Sequence, residues 1–253
     1  MLTDILLLVV GVIVGAMNSI AGGGMLIGFP VLLAVGMPAL VANATANVIL
    51  FPGQIASAYG YRDYLKKVPR QYLWLLLPCF VGAIFGALIL RYTPATNFEK
   101  IVPNLILFAV VLFAFQPLLH FHVHKQLHAS SSSNKPLIYI ALATIPLAIY
   151  GGYFGAGFGF VMLAFLGYTK LNDIHIMNAL KNLAAAAIAL GSFAGLYSAH
   201  LINWRGGLAM AIGTSIGGYA GARLTQHISS RAIRIGVISI GLVTAVYLFL
   251  RPY

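Results

Sequence analysis

Acidic side chains are almost missing from this sequence. Asp4, Asp63, Glu99 and Asp173 are the four carboxylates in 253 residues, and they do not supply the paired acid and base of a hydrolase. A single cysteine, Cys79 in an apolar run, excludes intrachain disulfides and multi-thiolate metal sites. No Gly-x-x-x-x-Gly-Lys-Ser/Thr loop occurs, so the chain has no phosphate cradle of its own with which to couple ATP hydrolysis to movement. Charge of either sign is scarce: 8% of the residues are Asp, Glu, Lys or Arg, against roughly 25% in a soluble domain.

Apolar residues make up 60% of the chain and recur in long uncharged runs from one end to the other. Lipid is therefore the expected solvent, and the expected class is an all-α polytopic membrane protein. The first run carries Asp4 in place of a basic n-region and continues past the length of a signal-peptide core, so it reads as the first membrane element. The net charge of +11 comes from Lys and Arg in short loops, the pattern of cytoplasmic loop retention in a bacterial-type membrane. No nucleic-acid partner is needed to explain it.

Uninterrupted apolar stretches fall near residues 4 to 36, 38 to 60, 70 to 91 and 100 to 119, then near 137 to 169, 173 to 200, 206 to 224 and 232 to 250. A shift of 135 positions lays Ala21-Gly22-x-Gly24 on Ala156-Gly157-x-Gly159 without a gap. The same shift lays Asn43 and Asn47 on Asn178 and Asn182, and Gly82-x-x-x-Gly86 on Gly217-x-x-x-Gly221. Chance likeness between apolar helices matches Leu and Val, not asparagine pairs and ordered glycines, so the chain is read as an internal duplication. Residues 1–120 form the first membrane repeat, 121–136 a basic, His- and Ser-rich cytoplasmic linker, and 137–253 the second repeat.

The 4 to 36 and 137 to 169 stretches exceed one span of about 20 residues and are broken by glycine. Running straight through each break gives parallel repeats of four spans; reversing there gives inverted repeats, each a Gly-broken helical hairpin plus three transmembrane helices. Loop charge favours reversal. It gathers Arg62, Lys66, Lys67, Arg70, Lys125, Lys135, Lys170, Arg223, Arg231 and Arg234 on one side and leaves Arg91, Lys100, Arg205 and Arg251 on the other. Both termini are then expected outside the cytoplasm, with the chain in the cytoplasmic (inner) membrane. Backbone at the breaks must be buried or line a cavity, so the two breaks are expected to meet inside the protein. The small-residue rows read as helix packing. Trp74, Trp204, Tyr61, Tyr64 and Tyr72 read as headgroup-level anchors near span ends.

Lys181 is the sole Lys or Arg well inside an apolar span, in Met177-Asn178-Ala179-Leu180-Lys181-Asn182-Leu183. It lies roughly 12 Å along the helix from the start of that span at 1.5 Å per residue. A cation at that depth costs on the order of 2.5 to 3.5 kcal/mol on insertion scales, so it should face the bundle interior or a wet cavity, unless it snorkels toward the surface. Asn43 and Asn47, like Asn178 and Asn182, are four apart and share a helix face; the duplication would bring both faces near Lys181. Their amide NH2 groups could donate to an oxyanion, or the four could simply bond helix to helix. Gly22, Gly23 and Gly24, with Gly157 and Gly159, would expose backbone N–H groups at a half-helix start, an anion-attracting arrangement. Thr45, Gln54, Ser57 and Ser192 could extend a polar path, but ordinary interhelical hydrogen bonding is the first reading of each. His120, His122, His124 and His128 read as solvated linker, not a metal site, and His175 and His200 as interfacial. No metal and no cofactor is expected. No span after Asp4 holds a deep carboxylate, which removes the usual Asp or Glu route for ion coupling. An inside-negative potential favours outward anion movement by about 2.3 kcal/mol per charge per 100 mV.

At these residues the chain resembles the TauE/SafE family of sulfite exporters and sulfonate permeases over nearly its whole length. The resemblance rests on Ala21-Gly22-Gly23-Gly24 through Pro30, Gly36-Met37-Pro38 and Ala42-Asn43-Ala44-Thr45, and on Gly152-Tyr153-Phe154-Gly155-Ala156-Gly157-Phe158-Gly159 with Asn178-Ala179-Leu180-Lys181-Asn182. It implies transport of sulfur oxyanions, organosulfonates or related small anions across the cytoplasmic membrane. The second copy departs from the first at Phe158, where the first has Gly23, and at Phe165, where the first has Pro30. The expected function is a secondary permease for a small anion. The competing readings are a channel-like anion path, a non-transporting assembly subunit and, least supported, a membrane enzyme, for which no span supplies a nucleophile with a base.

Overall fold

The computed structural model describes residues 2–115, 137–167, 169, 171, 173–224 and 230–250, the last with side chains from 238 onward. The linker reading at 121–136, with its histidines and serines, lies outside the described residues. The helices are α1 Leu2–Ile20, α2 Met25–Ala34, α3 Ala39–Gly60, α4 Arg62–Leu65, α5 Arg70–Leu73, α6 Leu76–Tyr92 and α7 Ala95–Ala114, followed by α8 Leu137–Tyr153, α9 Phe158–Leu166, α10 Ile174–Leu196, α11 Trp204–Leu224 and α12 Ser230–Leu250. Starts are written locally. Pro38 precedes α3 and Pro94 precedes α7, each extended and ready to enter a helix whose first N–H groups need no intrahelical partner. Asp173 opens α10 by accepting the His175 N–H at 2.7 Å.

Each over-long stretch is two helices. α1 ends where Gly22 turns left-handed (φ +77°) and its N–H reaches back to the Met17 carbonyl at 3.2 Å. α8 ends in the same way at Gly155 (φ +77°), whose N–H reaches the Tyr150 carbonyl at 3.1 Å. A side chain at either position would be strained, which is why glycine ends both helices. The chain then reverses. A Cβ at Gly28 of α2 would lie 3.7 Å from Val14 of α1, whereas in a straight helix fourteen residues span about 21 Å. In the second hairpin the Tyr150 hydroxyl donates to the Ala156 carbonyl at 2.6 Å across the turn.

Two contacts between loop ends follow from this reversal. Arg223 at the end of α11 pairs with Asp63 in α4 at 3.7 Å, and Arg91 at the end of α6 donates to Ser198 at 2.8 Å. A chain running straight through both breaks would hold the members of each pair at opposite ends of the bundle.

Packing repeats as the sequence does. α11 packs on α1 and α3, and its counterpart α6 packs on α8 and α10; α3 against α10 and α7 against α12 join the halves. The close pairs depend on small residues: a methyl group at Gly217 would collide with the Val12 carbonyl, and one at Gly86 with the Ile149 carbonyl. The gapless shift of 135 is corrected at the break. α10 and α12 start 135 residues after α3 and α7, and Gly217 and Gly221 of α11 answer Gly82 and Gly86 of α6 at the same shift, but Phe158 starts α9 as Met25 starts α2, a shift of 133. The helix-ending glycine opposite Gly22 is thus Gly155, not Gly157, because the turn falls where α8 stops.

The outer face is apolar. Ile55, Phe85, Ile89, Phe108, Leu142 and Ile212 are exposed, whereas Asn43, Thr45, Asn47, Gln54, Asn178, Lys181 and Asn182 are buried. Among the described residues, five helical stretches are long and apolar enough to cross a membrane, one of them running from α5 through α6 (Arg70–Tyr92). Trp74 and Trp204 lie exposed near helix ends as expected, but Tyr61 and Tyr72 are buried. Tyr61 packs beside Ala179 and Ala222 with Tyr64 against its edge, so it closes the bundle end and does not reach headgroups.

Candidate functional site

The two broken hairpins meet at their turns. A Cβ on Gly22 would lie 2.7 Å from the Gly159 Cα, so the backbones touch with no side chain between them. Beside this contact is a narrow cavity of about 40 Å³. That is room for a few waters, at roughly 10 to 15 Å³ for each.

The lining is drawn from both repeats in matched places. Asn18, Gly22 and Met25 of the first hairpin face Gly151, Gly155 and Phe158 of the second; Leu50 and Gln54 of α3 face Ala185 and Ala189 of α10. The shape is near-symmetric and the chemistry is not. The first half presents Asn18, Asn47 and Gln54, and the second presents Lys181.

Lys181 is 1% exposed. Its ammonium donates to the Ser19 carbonyl at 2.9 Å and the Asn18 carbonyl at 3.2 Å. Both are carbonyls of the last turn of α1, at the negative end of its dipole; the Asn18 carbonyl also accepts the Gly22 N–H at 3.1 Å, whereas the Ser19 carbonyl takes its bonds from Lys181 and Asn182. Two of the three ammonium donors are used there. No Asp or Glu lines the cavity. The snorkelling alternative is set aside by the burial: Lys181 points into the protein, not along it.

Three of the four asparagines bond helix to helix. Asn43 donates to the Tyr153 carbonyl at 2.8 Å and Asn47 to the Gly152 carbonyl at 3.3 Å, both in the last turn of α8. Asn182 donates to the Ser19 carbonyl at 3.3 Å. A carbonyl can only accept, so each amide must turn its NH2 toward the broken helix, and the amides of Asn43 and Asn182 are left with a buried, unpartnered Oδ1. The bonds from Asn47 and Asn182 are counterparts, each helix of one repeat closing the broken helix of the other. Asn178 keeps an unpartnered Oδ1 as well. Among the four, Asn47 alone lines the cavity.

Of the five glycines singled out from the sequence, Gly22 and Gly159 line the cavity. Gly23 packs against Phe113, Gly24 against Val14 and Asn18, and Gly157 against Leu112. Asn18, Gly151 and Gly155 were missed. The available signal was position: Asn18 stands four residues before the helix-ending Gly22, and Gly151 four before Gly155. His175 stacks near Tyr64, with ring centroids 4.9 Å apart, and does not reach the cavity.

A bundle with an apolar exterior, two interlocked broken helices and a buried cation beside a central cavity belongs to the class of integral membrane transporters. The chain is a member of the sulfite exporter TauE/SafE family, which matches residues 7–248. It is similar to a probable membrane transporter protein of Haemophilus influenzae, 30% identical over 242 residues, covering 92% of this chain and 89% of that protein. It is also similar to the probable membrane transporter protein ORF9 of Sinorhizobium sp, 25% identical over 253 residues (97% and 92%), and to the probable membrane transporter protein YfcA of Escherichia coli K12, 28% identical over 236 residues (92% and 85%). No solved structure matches the chain.

Proposed function

We propose that the protein is a secondary permease for small anions, of the size and charge of sulfite, short organosulfonates or small carboxylates, and not an enzyme. The observation that carries this reading is Lys181: a fully buried ammonium beside a cavity with no lining carboxylate. A buried charge without a counter-charge is costly, and an anion entering the cavity offsets it. The family's description names sulfite, which sets the first probe.

The binding residues in this reading are Lys181 and Asn47 with the backbone at Gly22 and Gly159. Asn43, Asn178, Asn182, Gly23, Gly24 and Gly157 support the turns. The two halves work as inverted repeats that rock about the hairpin contact, a reading supported by the Arg223–Asp63 and Arg91–Ser198 contacts. The termini lie outside the cytoplasm and the Arg62 to Arg70 loop inside it, in a cytoplasmic (inner) membrane. The partners are a small anion and the lipid bilayer, without nucleic acid, metal or cofactor.

The test is flux of sulfite, a short alkylsulfonate and acetate into proteoliposomes, comparing wild type with folded Lys181→Gln. Saturable flux with counterflow that Lys181→Gln abolishes is the expected result. Flux that barely saturates and lacks counterflow would make the path channel-like. Silence across a broad anion panel would leave an assembly subunit.

A further inference from the structure

We infer that the cargo is a monoanion carrying its own O–H or N–H donor next to its acceptor oxygens, and that Gln54 reads that donor. The inference rests on the anion-permease reading and narrows its substrate class.

Two features of the cavity lead to it. The first is charge. Among the described residues, Lys181 is the one charged residue in the lining, and it already faces two carbonyls at the negative end of α1. One cation offsets one anionic charge; a dianion would bring a second charge into a site that has nothing to oppose it.

The second feature is Gln54. It is 5% exposed and lines the cavity, and its Oε1 is buried with no hydrogen-bond partner. Three amides near the hairpins, those of Asn43, Asn47 and Asn182, are fixed by helix carbonyls. Among the described residues, no protein group bonds the Gln54 amide at either end. Its counterpart in the second repeat is Ala189, which lines the cavity opposite and offers nothing polar. The asymmetry therefore places amides, Gln54 with its unpartnered Oε1 among them, on the first repeat's side of a small space and one ammonium on the other.

An acceptor buried without a partner costs free energy, and water or a ligand donor relieves that cost. A carboxamide joins an O–H and an adjacent oxygen in a two-bond pair, the Oε1 accepting and the Nε2 donating. Hydrogen sulfite and 2-hydroxycarboxylates offer that pair, whereas fully ionised alkyl anions offer acceptors alone and leave Oε1 unmatched. A cavity of about 40 Å³ also suits the smaller members of either class.

The test uses isosteric pairs that exchange O–H for CH3 at equal charge: glycolate against propionate, and hydrogen sulfite against methanesulfinate. Saturation of flux is measured in proteoliposomes for wild type, Gln54→Leu and Gln54→Met. Wild type is expected to favour the hydroxylated member of each pair by about tenfold or more in apparent affinity. Either variant brings the ratio close to one, and sulfate, a dianion without a donor, competes poorly with glycolate. Equal affinities within both pairs in wild type would overturn the inference, and so would a preference that survives both substitutions or sulfate that competes as well as glycolate. If both variants fail to fold, the wild-type ratio decides alone. Absence of saturable flux for all four probes would overturn the permease reading itself, an outcome distinct from flux without preference.

Discussion

The Lys181 ammonium of α10 donates to the Ser19 carbonyl of α1 at 2.9 Å, joining a side chain of the second repeat to the broken helix of the first. The contact has two consequences. It satisfies a carbonyl that the end of α1 leaves without a partner, and it fixes the cation beside the cavity. A transported anion must therefore share the ammonium with α1, which ties binding to the position of the hairpin.

Removing that charge is expected to weaken transport more than folding. Lys181→Gln loses a charge-assisted bond to the anion, of about 1.5–3 kcal/mol, or roughly 10- to 150-fold in apparent affinity. Its effect on stability is smaller, because losing two bonds to carbonyls is offset by no longer burying a cation. Flux saturation and thermal unfolding in detergent measure the two separately. An apparent affinity within twofold of wild type would show that Lys181 serves the hairpin alone.

Asn47 and Asn182 separate structure from binding. They are counterparts in the duplication and each closes a broken helix, Asn47 at Gly152 and Asn182 at Ser19, both at 3.3 Å. Asn47→Ala leaves the buried Gly152 carbonyl without that partner, at a cost of about 1–3 kcal/mol, whereas in Asn182→Ala the Ser19 carbonyl keeps the Lys181 ammonium. A larger drop in melting temperature is expected for Asn47→Ala than for Asn182→Ala. Asn47 alone lines the cavity, so the apparent affinity for anion should fall in Asn47→Ala and hold in Asn182→Ala. Loss of affinity in Asn182→Ala without loss in Asn47→Ala would reverse the assignment.

What the sequence discloses follows from how local each signal is. The duplication, the breaks and the buried Lys181 are legible because each is a departure from an apolar background: paired asparagines, ordered glycines, one cation in a span. The direction of the amides is not, since it depends on which carbonyls stand opposite, and those belong to residues more than 100 positions away, as with Asn43 and Tyr153. The two-residue displacement at the second break is hidden for a related reason: Gly155 and Gly157 are both glycines with positive φ, and only the end of α8 selects which one closes the helix. Tyr61 and Tyr72 read as interfacial because tyrosine near a span end usually is; tertiary packing at the bundle end buries them.

Topology is open to a direct chemical test. In a Cys79→Ser background, cysteines at Lys66 and Thr96 are separated by α6, so they should label from opposite faces of the membrane. Cys79 is buried and its replacement removes background reaction. Lys66→Cys and Ser131→Cys should react only once the cytoplasmic face is opened, and Thr96→Cys should react in intact cells. Ready modification of Lys66→Cys from outside would invert the assigned orientation.

Two left-handed glycines distinguish backbone strain from site geometry. Gly36 has φ +91° with nothing within 4 Å of a Cβ, whereas Gly155 has φ +77° and a Cβ there would lie 2.6 Å from the Asn47 Oδ1 and 3.0 Å from the Gly151 carbonyl. Gly36→Ala should thus lose about 1–2 kcal/mol, the cost of holding an L-residue in the left-handed region. Gly155→Ala carries the same strain and adds overpacking of typically 1–3 kcal/mol. It also displaces Asn47 from its bond to Gly152, so the expected signature is a larger fall in melting temperature accompanied by weakened anion affinity. Gly36→Ala should leave affinity in place. Equal melting shifts with equal affinities would mean that the second hairpin turn accommodates a methyl group freely, and would remove the close fit between Gly155 and Asn47 on which the cavity's geometry depends.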